Sequence, residues 1–96
     1  MPTFGNGFFR YQVCFSTPNP EPLDRLHCLV SQYLPGYAIL PCSGAWEGKA
    51  EHAYTITVVG TLEDESIVLA LAKDIKYVYQ QDKVLVDRFP VNSVLV

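Results

Sequence analysis

Residues 52–78, HAYTITVVGTLEDESIVLALAKDIKYV, hold two hydrophobic periods in one run. Up to Val59, the apolar Tyr54, Ile56 and Val58 alternate with Ala53, Thr55 and Thr57, which is the two-residue period of a strand with unlike faces. After Gly60-Thr61 the spacing changes. Ile67, Val68, Leu71, Ala72, Ile75 and Val78 recur at three- and four-residue steps, which predicts a helix with these six as its buried stripe. Thr61 is placed to cap that helix, and Glu63, Asp64 and Glu65 suit the positive end of its dipole.

Upstream, the same strand-then-helix succession occurs once more. In FFRYQVCFS, residues 8–16, Phe9, Tyr11, Val13 and Phe15 alternate with Arg10, Gln12, Cys14 and Ser16. TPNPEP, residues 17–22, breaks this strand, and Asn19-Pro20 reads as a helix start with a capping side chain before a ring at the first helical position. Leu23, Leu26, Val30, Tyr33 and Leu34 follow at helical spacing until Pro35-Gly36. Residues 37–42 are short, apolar and interrupted by Pro41, which predicts an edge strand or a bulge because proline cannot donate to a ladder. SGAWEGK, residues 43–49, is read as a glycine-flanked tip, residues 80–83 as a turn, Val84 to Val86 as the last core strand, and Phe89-Pro90 as its break.

The expected organisation is a flexible arm at 1–7, a single ferredoxin-like domain at 8–90, and an apolar tail at 91–96 suited to an extra strand. Two right-handed crossovers then give an α+β fold: a ferredoxin-like β-α-β-β-α-β sandwich, with two helices on one face of a four-stranded antiparallel sheet. Register points Tyr11, Val13, Ile56 and Val58 at the helices. It points Arg10, Gln12, Thr55 and Thr57 away, onto an open face read as small and polar.

Composition limits the function classes. Charged residues are 18% of the 96 and apolar ones 49%, against about 25% charged in an average domain. So short a chain has little interior to hide that much apolar surface, so part of it is expected to be covered by further copies of the chain. The formal net charge is −3, and the seven cations Arg10, Arg25, Lys49, Lys73, Lys76, Lys83 and Arg88 are scattered, which argues against general nucleic-acid binding. No stretch approaches the roughly 20 apolar residues of a membrane span, and MPTFGNGFFRYQ lacks the character of a secretory signal. Cys14, Cys28 and Cys42, odd in number and without a C-x-x-C pair, are expected as small buried apolar side chains in a reducing, cytoplasmic compartment.

The chemistry-bearing residues concentrate at Gly44 to His52. Trp46 suits stacking on a planar ligand or plugging a neighbouring copy, and Glu47 and His52 supply polar contacts. Arg10 and Lys49 are matched to anionic groups. Simple hairpin packing accounts for the same residues without a ligand. Glu47, Glu51 and His52 lack the further ligand and the specific spacing of a metal site, so no metal or cofactor is assigned. His27 has no nameable carboxylate companion, and no catalytic residue is assigned. A Pro2 amine exposed by loss of Met1 would resemble a tautomerase base, but Gly5, Asn6 and Gly7 leave it unheld. An acylphosphatase would need a glycine-rich phosphate cradle where STPNPEP stands, and an RNA-recognition domain would show aromatics where Arg10, Gln12, Thr55 and Thr57 stand.

Ile39-Leu40-Pro41, Ser43, Trp46-x-Gly48-Lys49-x-Glu51 and Val58-Val59-Gly60-Thr61 together resemble the trimeric ferredoxin-like group of CutA and PII signalling proteins. Gly44 to Glu51 with Gln81 to Leu85 are also similar to short bacterial and phage proteins that carry a Gly-x-Trp-x-Gly-x-x-Glu hairpin. The resemblance implies a trimer, favoured over a dimer, whose strands extend between neighbours and leave clefts at subunit boundaries. Such clefts hold nucleotides in PII proteins, and CutA proteins are linked to divalent metals. The long loop and basic phosphate-binding residues of PII proteins, and the cysteine and histidine-tyrosine end of CutA proteins, have no counterpart here. The expected function is therefore a non-catalytic homo-oligomer holding a nucleotide-like anion or a protein partner, with a phage-encoded sponge or inhibitor of host defence as its narrow form. A small oligomeric enzyme of the dimeric α+β barrel type and a purely structural assembly subunit are the alternatives.

Overall fold

The computed structural model describes residues 3–96, the side chain of Trp46 excepted. The Pro2 amine thus lies outside the described residues. The elements run β1 (Gly5–Thr17), α1 (Leu23–Ser31), β2 (Ala38–Trp46), β3 (Lys49–Gly60), a 3-10 turn (Leu62–Asp64), α2 (Glu65–Val78) and β4 (Leu85–Ser93). The four strands form one sheet in the order β2-β3-β1-β4, with all neighbours antiparallel. This is the ferredoxin-like arrangement expected from the two periods.

The core lies between the sheet and the helices. Tyr11, Val13 and Phe15 of β1 and Tyr54 and Ile56 of β3 meet Leu26 and Val30 of α1 and Val68, Leu71, Ala72 and Ile75 of α2. Ile67, expected in the α2 stripe, is 42% exposed, because it falls outside the arc that faces the sheet. The link from β1 to α1 is held by hydrogen bonds: the Thr17 hydroxyl donates to the Asn19 carbonyl at 2.6 Å, and the Glu21 amide to the Tyr54 hydroxyl at 2.7 Å. Asn19 does not cap α1. The helix starts at Leu23 after Pro22, whose extended backbone ends the proline-rich link. Thr61 does begin the second helical segment, and its amide and hydroxyl donate to the Asp64 carboxylate at 2.7 and 3.3 Å.

Three features of the strands also differ from the sequence reading, each for a physical reason. β1 begins at Gly5, inside the segment read as an arm, and passes an irregularity between Gly5 and Phe8 where Gly7 takes φ 81°. β4 continues through Pro90 to Ser93, into the tail, since an edge strand tolerates a missing donor. Pro41 sits, as expected, in the other edge strand, β2. The β2–β3 hairpin turns on Glu47 and Gly48 alone, with φ 51° and 79°, so Ser43 to Trp46 belong to a strand and not to a wide tip.

The buried tyrosines give the core an alkaline limit. Burial, and after it the Glu65 carboxylate, pushes the Tyr11 phenol above the usual range, and burial does the same to Tyr79. Tyr11 donates to the Thr61 carbonyl at 2.6 Å, whereas the buried Tyr79 hydroxyl has no partner among the described residues. An unfolded chain releases these protons near pH ~10, and the folded one only higher. Stability is therefore level below that pH and falls as pH climbs through it. Urea midpoints between about pH 8 and pH 11 should show this fall. Tyr79→Phe should make it shallower without loss at neutral pH; an unchanged slope would mean that Tyr79 ionises freely in the fold.

Candidate functional site

Strand periodicity divides each β residue set into a helix side and an open side. Register aligns the open side in rows: Arg10 with Val59 and Phe89, Gln12 with Thr57 and Asp87, Cys14 with Thr55 and Leu85, and Ser16 with Ala53. On the outer side of β3, Ala38 lies opposite Thr57, Leu40 opposite Thr55 and Cys42 opposite Ala53. The centre of the face is polar, as expected. Its edges are not: Leu40 is 54% exposed, Leu85 59%, Phe89 45% and Val59 38%. The expected small polar face is instead a polar strip bordered by apolar side chains on both edge strands and at the end of β3.

Arg10 stands at one end of that strip, exposed, with its guanidinium donating to the Thr57 hydroxyl at 3.3 Å. Glu47, Lys49 and His52 stand at the hairpin end and are exposed. From Val59, beside Arg10, to Lys49 is ten steps along β3, or about 34 Å at the strand rise. One chain therefore does not bring its five candidate residues together. The Trp46 side chain lies outside the described residues. Glu51 and His52, adjacent on β3, point to opposite faces. Glu51 accepts a hydrogen bond from the Ser16 hydroxyl, and among the described residues no three His, Cys, Asp or Glu side chains are grouped to hold a metal.

Two ribbons project from the sheet at opposite ends. β1 pairs with β3 only from Phe9–Gly60 to Thr17–His52. Beyond one limit, Gly44 to Trp46 and Lys49 to Glu51 pair only with each other; beyond the other, Gly5 and Phe8 pair only with Ser93 and Val91. The inner edges of both ribbons thus carry ladder groups without a third strand. The chain spans 48 Å along its long axis and 25 and 21 Å across it.

Away from the sheet, Arg88 pairs with Glu65 at 2.6 Å and lies 5.0 Å from the Phe9 ring, which ties β4 to the start of α2. The exposed His27 shares a 3.0 Å contact between Nδ1 and the hydroxyl of the half-buried Tyr37, and meets no carboxylate there. Cys14, Cys28 and Cys42 are free thiols; Cys28 and Cys42 are exposed and not in the core as expected, while Cys14 lies on the open face near the Thr55 hydroxyl. No described helix is long and apolar enough to cross a membrane.

No protein-family model and no curated protein matches this sequence. Solved structures do resemble it, all at low identity. A phage SAM lyase in its apo state superposes with a TM-score of 0.75 at 19% identity, over 99% of this chain and 92% of that one. CutA from Synechococcus elongatus, complexed with Bis-Tris, gives 0.60 at 9% identity over 95% and 86%. CPII, a nitrogen regulatory PII-like protein from Thiomonas intermedia bound to ADP, AMP and bicarbonate, gives 0.57 at 13% identity over 90% and 91%. These likenesses establish the fold, and they include both groups, CutA and PII-like, expected from the sequence.

Proposed function

We propose that the protein is a cytoplasmic homo-oligomer that takes S-adenosylmethionine between copies and cleaves it. The observation that carries the reading is the superposition on the phage SAM lyase, which spans nearly the whole of both chains and exceeds those on CutA and the PII-like protein. The open face supports assembly, because apolar side chains on β2, β3 and β4 are left uncovered by the chain itself. The separation of Arg10 from the hairpin supports a boundary site. A copy that lays its hairpin ribbon along the opposite ribbon of the next brings Glu47 and Lys49 toward a second copy's Arg10.

The chemistry asks little of the protein. When the bond from the sulfonium sulfur to the γ-carbon of the amino-acid chain breaks, its electron pair stays on sulfur as a neutral thioether. The substrate's own carboxylate oxygen bonds to that carbon and closes a lactone, so neither an acid for the leaving group nor a second reactant is needed. What remains is to fix the substrate's conformation and exclude water. In this reading Arg10 meets the substrate carboxylate, Glu47 faces its cationic groups, Trp46 stacks on the adenine, and Lys49 and His52 give polar contacts.

The second reading, a non-catalytic holder of an adenine nucleotide, draws on the ADP and AMP carried by the PII-like neighbour. Calorimetric titration of the purified protein with S-adenosylmethionine and with ADP separates the two, with mass spectrometry of the mixtures. Binding of S-adenosylmethionine with turnover to an adenosyl thioether, abolished by Arg10→Ala, is the expected result. Retention of ADP without consumption of S-adenosylmethionine replaces the enzyme with the holder. Binding of neither ends both.

A further inference from the structure

Three of the seven cations that look dispersed along the chain are brought together when it folds. Arg25 of α1 and Lys73 and Lys76 of α2 come together around one open groove of about 700 Å³ on the helical layer, completed by Tyr77, Val78, Gln80 and Gln81. The groove lies on the opposite side of the sheet from the face discussed above. We propose that it is a separate binding site for a polyphosphate, as borne by a nucleoside triphosphate.

Charge is the first support. The chain carries ten acidic residues, yet none of them lines this groove. Among the described residues the only ion pair is Arg88 with Glu65, so none of the three groove cations is neutralised by a carboxylate in contact. Of the acids adjacent to these cations in sequence, Asp74 is turned to another partner, accepting a 2.6 Å hydrogen bond from the Tyr33 hydroxyl, and Asp24 makes no ion pair with Arg25 among the described residues. Three like charges around one concavity repel each other, and an anion relieves that repulsion. The carbonyl end of α2 opposes this with roughly half a negative charge, against three full positive ones.

Geometry is the second. Lys73, Lys76 and Tyr77 are three and four residues apart on α2 and share one helix face. The Arg25 guanidinium rests over the Tyr79 ring at 5.3 Å, which limits its freedom before any ligand arrives. The phenol of Tyr77 is 83% exposed, far more than packing requires, and beside it the Gln80 and Gln81 amides offer donors and acceptors. Cations for phosphates, an open aromatic ring for a base and amides for its edge make up the chemistry of a nucleoside polyphosphate. S-adenosylmethionine, with its positive sulfonium, is the wrong charge for this groove, so the site is independent of the proposed reaction.

The test uses tripolyphosphate, which has no adenosyl group and so does not report on a boundary site. Titrated calorimetrically into the full chain at low salt, it should bind saturably, one per chain, and weaken as potassium chloride is added. Lys73→Gln with Lys76→Gln should weaken it at least about tenfold, since each lost charge-assisted contact is worth a factor of that order. Both side chains are exposed, and a thermal melt confirms that the double variant folds. Tyr77→Ala should weaken ATP several-fold and leave tripolyphosphate unchanged. The proposal fails if wild-type protein shows no saturable uptake at millimolar tripolyphosphate, if the double variant binds as well as wild type, or if only a single-stranded oligonucleotide binds.

Discussion

Replacing Leu85 and Phe89 together with glutamate is expected to leave a folded chain that sediments as a monomer where wild-type protein sediments as an oligomer. Both side chains are on the open face, 59% and 45% exposed, so the isolated chain loses little when they change. Covering such a side chain is worth about 1.5–3 kcal/mol. Leu40, Val59, Leu85 and Phe89, each already about half covered, together therefore offer roughly 3–6 kcal/mol gross per copy, or about 6–12 kcal/mol across a pair of copies, before the cost of association. A micromolar complex needs about 8 kcal/mol. Two carboxylates placed within that area both remove part of the gain and leave charge buried without a partner, at a cost of several kcal/mol. The dissociation constant should rise more than about a hundredfold. Sedimentation velocity reads the mass and circular dichroism the fold. A double variant that stays assembled would put the contact elsewhere, on the ribbons alone; wild-type protein that is monomeric at high concentration would remove the boundary site altogether.

That apolar border shows where sequence reading stops. The alternation in residues 8–16 and 52–59 and the helical steps after Gly60-Thr61 specify strands, helices and the core because burial forces period onto sequence. Tyr11, Val13, Ile56 and Leu71 were legible for that reason. Pro41 marked an edge strand by its missing donor. Pro90 carries the same mark, yet it lies inside β4, because an edge position satisfies it and the neighbouring Arg10–Phe89 and Phe8–Val91 pairs hold the ladder. A strand ended at Val86 leaves Phe89 without a face, and so the open side read as polar. Only register, a long-range property, places Leu85 opposite Cys14 and Phe89 opposite Arg10. The candidate residues fare likewise. Arg10 and the hairpin are visible as chemistry in the sequence, but their separation follows from strand length. The meeting of Arg25 with Lys73 and Lys76 depends on how two helices pack, which no local spacing records.

Leu71→Ala should bring the largest loss of stability of any conservative change. Leu71 is fully buried, and lies in the α2 arc with Val68, Ala72 and Ile75 against the sheet. Removing its three outer carbons costs their transfer free energy and leaves a cavity that neighbours on a sheet and a helix only partly fill, about 2–5 kcal/mol. A domain of this size holds about 5–10 kcal/mol in all, so the variant loses a large part of its margin. At about 4–8 °C per kcal/mol the melting temperature falls by on the order of 10–30 °C. The comparison that gives this meaning is Leu69→Ala on the same helix: the side chain is 44% exposed, and its loss should cost no more than about 1 kcal/mol. Both melts must be run at one protein concentration, because assembly adds its own stabilisation. If Leu69→Ala proves as damaging as Leu71→Ala, the outer face of α2 is also covered, and copies meet through the helices as well as the sheet. If only Leu71→Ala is damaging, the helical layer faces solvent and the groove between Arg25 and Lys76 is open to its ligand.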